Sequence, residues 1–159
     1  MIRFSSLALA ALLASCSSQP PAEAAATTQA PAVHPVSGLR VIPLTVTTAS
    51  GKHALRVEVA ATDAEQARGL MFRTEMGANE GMIFPRNPPD MASFWMKNTP
   101  LPLDIIFIGS DRRVINIAAN TVPYSMTSVG SEGLTGAVLE LNAGRAAQLG
   151  IEAGTKVDW

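Results

Sequence analysis

The chain has 159 residues, 47% of them hydrophobic, with a formal net charge of −1, one cysteine and two histidines. That length suits one core rather than several domains, and without a basic stripe nucleic acid is not an expected partner. With a single thiol the chain offers no internal disulfide and no thiolate metal cluster. No P-loop or GxGxxG run occurs, so neither a cofactor nor a metal is expected.

Residues 1–16 read MIRFSSLALAALLASC. Arg3 precedes an uncharged apolar stretch, Leu7–Ala14, a signal-peptide pattern too short for a stable membrane span. The run ends Leu13-Ala14-Ser15-Cys16, which resembles the lipobox of bacterial lipoproteins. The resemblance implies cleavage after Ser15 and acyl chains on Cys16; several such chains anchor stably where one is marginal. Ser17 points to the outer membrane, with the protein facing the periplasm. Residues 16–37 are rich in Pro, Ala, Ser and Thr and nearly uncharged. They cannot bury enough apolar surface to offset ordering, so they are expected to form a tether, reaching on the order of 60 Å when stretched.

Residues 38–159 are expected to form the domain. Leu39–Thr48 is β-branched and reads as a strand. His53–Ala60 alternates, with Leu55, Val57 and Val59 on one face and Arg56 and Glu58 on the other, so the two make a hairpin. Thr62-Asp63-Ala64-Glu65 is a capping box and predicts a helix over Asp63–Met71, with Glu65 and Arg68 paired outside. Met76–Gly81 and Pro85–Asp90 read as loops around a short apolar segment, Met82–Phe84. Phe94–Asn98 reads as a strand, and Leu103–Ile108, apolar on both faces, as the central one. Val114–Ala118 returns beside it. After a polar loop from Asn120 to Gly136 come a strand at Ala137–Leu141, a helix at Arg145–Leu149 closed by Gly150, and a strand at Thr155–Trp159. The fold class expected is α+β: a mostly antiparallel, strongly bent or barrel-like sheet with two short helices.

Four segments carry a family resemblance: Ala67–Arg73 (ARGLMFR), Gly81–Phe84 (GMIF), Phe94–Ile108 (FWMKNTPLPLDIIFI) and Val138–Gly144 (VLELNAG). In order and spacing they resemble the domain of unknown function 192 family, whose members include secreted and lipid-anchored bacterial proteins. The resemblance implies a compact β-rich fold and no established activity. The loop Ser125–Gly136 departs from it, being richer in glycine and serine.

The residues that stand out chemically lie in or beside these segments. Asp104 opens an apolar strand, and a buried carboxylate needs a partner; Lys97, Arg68 and Arg73 are the cations available. One reading is a structural ion pair, with Asn98 and Thr99 bonding a turn. The sharper one is a polar pocket in which Lys97 and an arginine receive an anionic group beside Trp95. Glu140 and Asn142 share a strand face. Asn142 is expected to cap the following helix. Glu140 either pairs with Arg68 or Arg73 or joins Asp104 in a carboxylate pair for hydrolysis. His34 falls in the tether, leaving His53 alone in the domain, which argues against a Ser-His-Asp triad or a His-based metal site. The methionines lack ligand spacing and read as core filling. The reading favoured is a lipid-anchored binding module for a small anionic ligand or envelope component; the alternatives are a carboxylate hydrolase and a structural envelope protein.

Overall fold

A computed structural model describes residues 32–159; the expected signal peptide, Cys16 and most of the expected tether lie outside them. Among the described residues, nine strands and two helices follow in order: β1 (Val41–Thr48), β2 (Gly51–Val59), α1 (Asp63–Arg68), β3 (Glu80–Asp90), β4 (Ser93–Phe94), β5 (Leu103–Gly109), β6 (Val114–Ala118), β7 (Val129–Gly130), β8 (Thr135–Asn142), α2 (Arg145–Leu149) and β9 (Lys156–Asp158). Seven strands form one sheet in the order β6-β5-β8-β3-β2-β1-β9, and β4 pairs with β7 separately. All pairs are antiparallel except β2 with β3, which α1 connects in parallel.

The sheet curls into a half-barrel. Its two edges meet at one end through a bridge between Arg113 and Lys156, reinforced by Val114 N–H donating to the Thr155 carbonyl at 2.9 Å. The concave side holds the larger core, with Leu44, Val57, Ile83, Leu139, Ile106 and Val157 all buried; Ala146 and Leu149 of α2 plug it. A second core lies on the outer face of β3, β5 and β8, where Met82, Phe84, Ile105, Phe107 and Val138 pack under Ala92, Met96 and Leu70. That double cover is why Leu103–Ile108 is apolar on both faces and buried throughout. It lies second from the sheet edge rather than at the centre.

The helices span only six and five residues, so the α+β expectation is corrected to a mostly β fold. The bent, mostly antiparallel sheet agrees with the sequence reading. Four local expectations also change. Helix α1 stops at Arg68 because Gly69 takes φ 46° and ψ −135°, a conformation that suits glycine. Pro85–Asp90 is strand rather than loop: β3 pairs with β8 up to Pro85, shifts register, and pairs again at Asp90. Phe94–Asn98 is strand only at Phe94; Asn98 has φ 55° and turns the chain. Inside the expected 120–136 loop, Val129 and Gly130 form β7 and cover the outer core.

Candidate functional site

The sheet's outer face carries one cross-strand row running Glu58, Met82, Glu140, Ile105 over β2, β3, β8 and β5. Two of the four are carboxylates, and both are buried, Glu58 at 4% exposure and Glu140 at 5%. Their surroundings differ. The Arg73 Nη2 donates to both Glu58 oxygens at 2.8 and 2.9 Å. The Ser37 hydroxyl donates to the same carboxylate, and His34 Nε2 stands 3.7 Å from it. His34, placed in the tether by the sequence reading, and Ser37 are thus packed against the domain. Glu140 has no such partner among the described residues. Met82 and Ile105, both fully buried, flank it. Burial alone pushes its carboxyl up to about 8, because desolvation penalises the charged form.

Above Glu140 opens a cavity of about 310 Å³. Its wall is built by α1 and its turn (Gln66, Arg68, Gly69), by Phe84 and Arg86 of β3, and by Phe94, Trp95 and Thr99. Gln66 Nε2 donates to the Pro85 carbonyl at 2.9 Å and ties the helix to β3. The capping box sets where α1 begins: Glu65 N–H donates to the Thr62 hydroxyl, and Glu65 Oε2 accepts from the Ala61 and Thr62 amides, both at 2.8 Å. Those two backbone bonds hold the Glu65 carboxyl below its ordinary range, and they occupy the group expected to pair with Arg68. Phe94 stands edge-on to Phe84, with ring centroids 5.1 Å apart, and edge-on to Phe107. Two residues along β3 from Phe84, Arg86 has its Nε buried without an acceptor among the described residues.

Of the sequence-selected residues, Arg68, Trp95 and Glu140 converge on this cavity. The others do not. Arg73 is committed to Glu58 and lines a neighbouring cavity of about 340 Å³ with Val36 and Phe72. Lys97 lies outside the cavity, its Nζ 5.2 Å from the Trp95 ring centroid. Asn98 serves the turn, its carbonyl accepting from Phe72 N–H at 2.7 Å.

Asp104 needs no cation. Its two oxygens accept the amides of Asn120 and Ala146, each at 2.9 Å, so it caps α2 from β5. Asn142, expected in that role, instead donates to the Met76 and Gly77 carbonyls. Asp104 and Glu140 also lie on opposite faces: Asp104 pairs across to Leu141 on the concave side, Glu140 to Ile105 on the outer side. The carboxylate pair required by the hydrolase reading is therefore not formed.

Sequence reasoning missed Arg86 and Gln66. Arg86 sat in a proline-rich stretch read as loop, and Gln66 on a helix face with no evident partner. The only signal was indirect: β3 had to continue past Pro85 for Arg86 to face the outer core.

The DUF192 family model, described as uncharacterized ACR, matches residues 45–159. Among solved structures, a protein of unknown function from Novosphingobium aromaticivorans is 66% identical, with a TM-score of 0.80 over 83% of this chain and 94% of that one. A Sinorhizobium meliloti protein put forward as a transcription regulator is 38% identical, with a TM-score of 0.73 over 76% of this chain and 94% of that one. No curated protein matches the chain. The family model, the motif segments inside it and the shared fold together place this chain in the DUF192 family.

Proposed function

We propose that this protein is a lipid-anchored envelope protein whose domain binds a small ligand bearing an anionic group, in the cavity above Glu140. One observation carries the reading. A buried glutamate without a partner lies under a cavity whose wall holds two arginines, Arg68 and Arg86, the latter with an orphaned Nε. Buried polar groups without partners are expensive, and this fold does satisfy its other buried carboxylates, Glu58 and Asp104. Trp95 and the two phenylalanines provide apolar walls for the body of such a ligand. The anchor rests on the Leu13-Ala14-Ser15-Cys16 run. The test is thermal unfolding of the purified protein against a panel of small carboxylates and phosphates. A ligand at a hundred times its Kd adds about 2.7 kcal/mol, a rise of roughly 5–10 °C. The rise is expected for wild type and lost in Arg68→Ala and Arg86→Ala, with circular dichroism unchanged. If no member of the panel raises the midpoint, or both variants respond like wild type, the reading fails.

A second reading, an envelope protein as partner, is favoured by exposed Phe72, Trp95, Tyr124 and Met126. Backbone bonds join their segments: Phe72 to Asn98, Met96 to Ser125, Tyr124 to Thr99. A photocrosslinker at position 124 in whole cells is expected to yield one discrete adduct on that reading, and none otherwise.

A further inference from the structure

Glu140 and Arg86 are unpartnered groups of opposite kind in the wall of one cavity. They do not answer each other: among the described residues the ion pairs are His34–Glu58, Arg73–Glu58 and Lys156–Asp158. Arg86 keeps a buried Nε with no acceptor, and Glu140 keeps a carboxyl that feels only desolvation. A purely anionic ligand would satisfy the arginines and leave the floor of the cavity as it is. A purely cationic one would do the reverse and would meet two arginines on the way in.

We infer that the ligand is a small zwitterion, an α-amino acid or the terminus of a short peptide, with its carboxylate at Arg68 and Arg86, its ammonium at Glu140, and an apolar side chain against Trp95, Phe84 and Phe94. The inference rests on the binding reading given above and narrows it. Arg suits the carboxylate end because its fork of donors matches two oxygens. Glu140, between Met82 and Ile105 in its row, suits the ammonium because it forms no ion pair among the described residues. A cavity of about 310 Å³ is large enough for one residue-sized molecule. Among the described residues, Arg68, Arg86 and Glu140 are the only ionisable side chains lining it. Desolvation favours the protonated form of Glu140. Forming the ion pair sends that proton to solvent, leaving a carboxylate against the ligand's ammonium.

The experiment is isothermal titration of the purified full-length protein with a series of α-amino acids from alanine to tryptophan. Each is paired with its deaminated carboxylate and its decarboxylated amine, and each titration is run at pH 7 in two buffers of different ionisation enthalpy. At least one amino acid is expected to bind ten times or more tighter than both of its single-charge analogues, releasing close to one proton. Glu140→Gln is expected to erase the preference for the amino acid and the proton release, while keeping the affinity for the deaminated carboxylate. Carboxylates that bind as tightly as their parent amino acids overturn the zwitterion and leave the anion reading standing. Amines that bind best overturn both, as does an absence of binding by all three classes. Proton release that persists in Glu140→Gln removes Glu140 from the assignment.

Discussion

Glu58 and Glu140 lie in one row, two strands apart, and differ in what faces them. Glu58 has Arg73 in a two-bond fork, with Ser37 and His34 beside it. Removing Arg73 strands a buried charge, so Arg73→Ala is expected to destabilise by about 3–5 kcal/mol, measured by urea unfolding; Glu58→Gln in the same chain should recover much of the loss. A change below about 1 kcal/mol contradicts the pairing. For Glu140 the sign runs the other way from a paired carboxylate. Its folded pKa of about 8 stands above the ordinary 4.5. Between those values the folded protein holds a proton that the unfolded chain has released, so this group's contribution to stability falls as pH rises from about 4.5 to 8. Glu140→Gln keeps the shape and removes the titration. The variant is expected to match wild type near pH 4.5 and to exceed it by a few kcal/mol at pH 8 and above. Parallel stability curves across that range would mean that Glu140 is solvated.

At the scale of elements, the capping box of α1, the Gly150 stop of α2, the first hairpin and the doubly buried β5 were legible, because each is written in adjacent residues. What was not legible depends on register between distant segments. Asp104 was expected to seek a cation, yet the amides of Asn120 and Ala146, brought by a loop and a helix far along the chain, satisfy it. Three prolines between Pro85 and Pro89 read as loop, and only the partner strand β8 keeps that stretch in the sheet. The same register explains Gly81. A Cβ there would stand 2.5 Å from the Glu140 carbonyl and 2.8 Å from Leu141 Cδ2, so β3 and β8 approach closely beneath the cavity. Gly81→Ala is expected to cost about 1–3 kcal/mol, read as a lower urea midpoint. It should also loosen the cavity floor. An unchanged midpoint would show that the two strands have room to part.

On the scale of the whole molecule, three of the eight ligand residues named from sequence gather at the cavity: Arg68, Trp95 and Glu140. They come from three motif segments, which tertiary structure alone unites. The remaining five serve the fold or the surface, Asp104 and Asn142 by bonding backbone groups. The anchor is argued from sequence and makes its own prediction. Cys16→Ser should move the protein from the membrane fraction to the soluble fraction on envelope fractionation; retention in the membrane pellet would refute lipidation at that thiol. The central claim is that the cavity over Glu140 is a ligand site, and native mass spectrometry of the gently purified protein tests it most directly. A reproducible small-mass adduct on wild type, absent from Arg86→Ala and Glu140→Gln prepared in the same way, is the predicted result. Bare-chain mass for wild type, or an adduct that both variants retain, would contradict it.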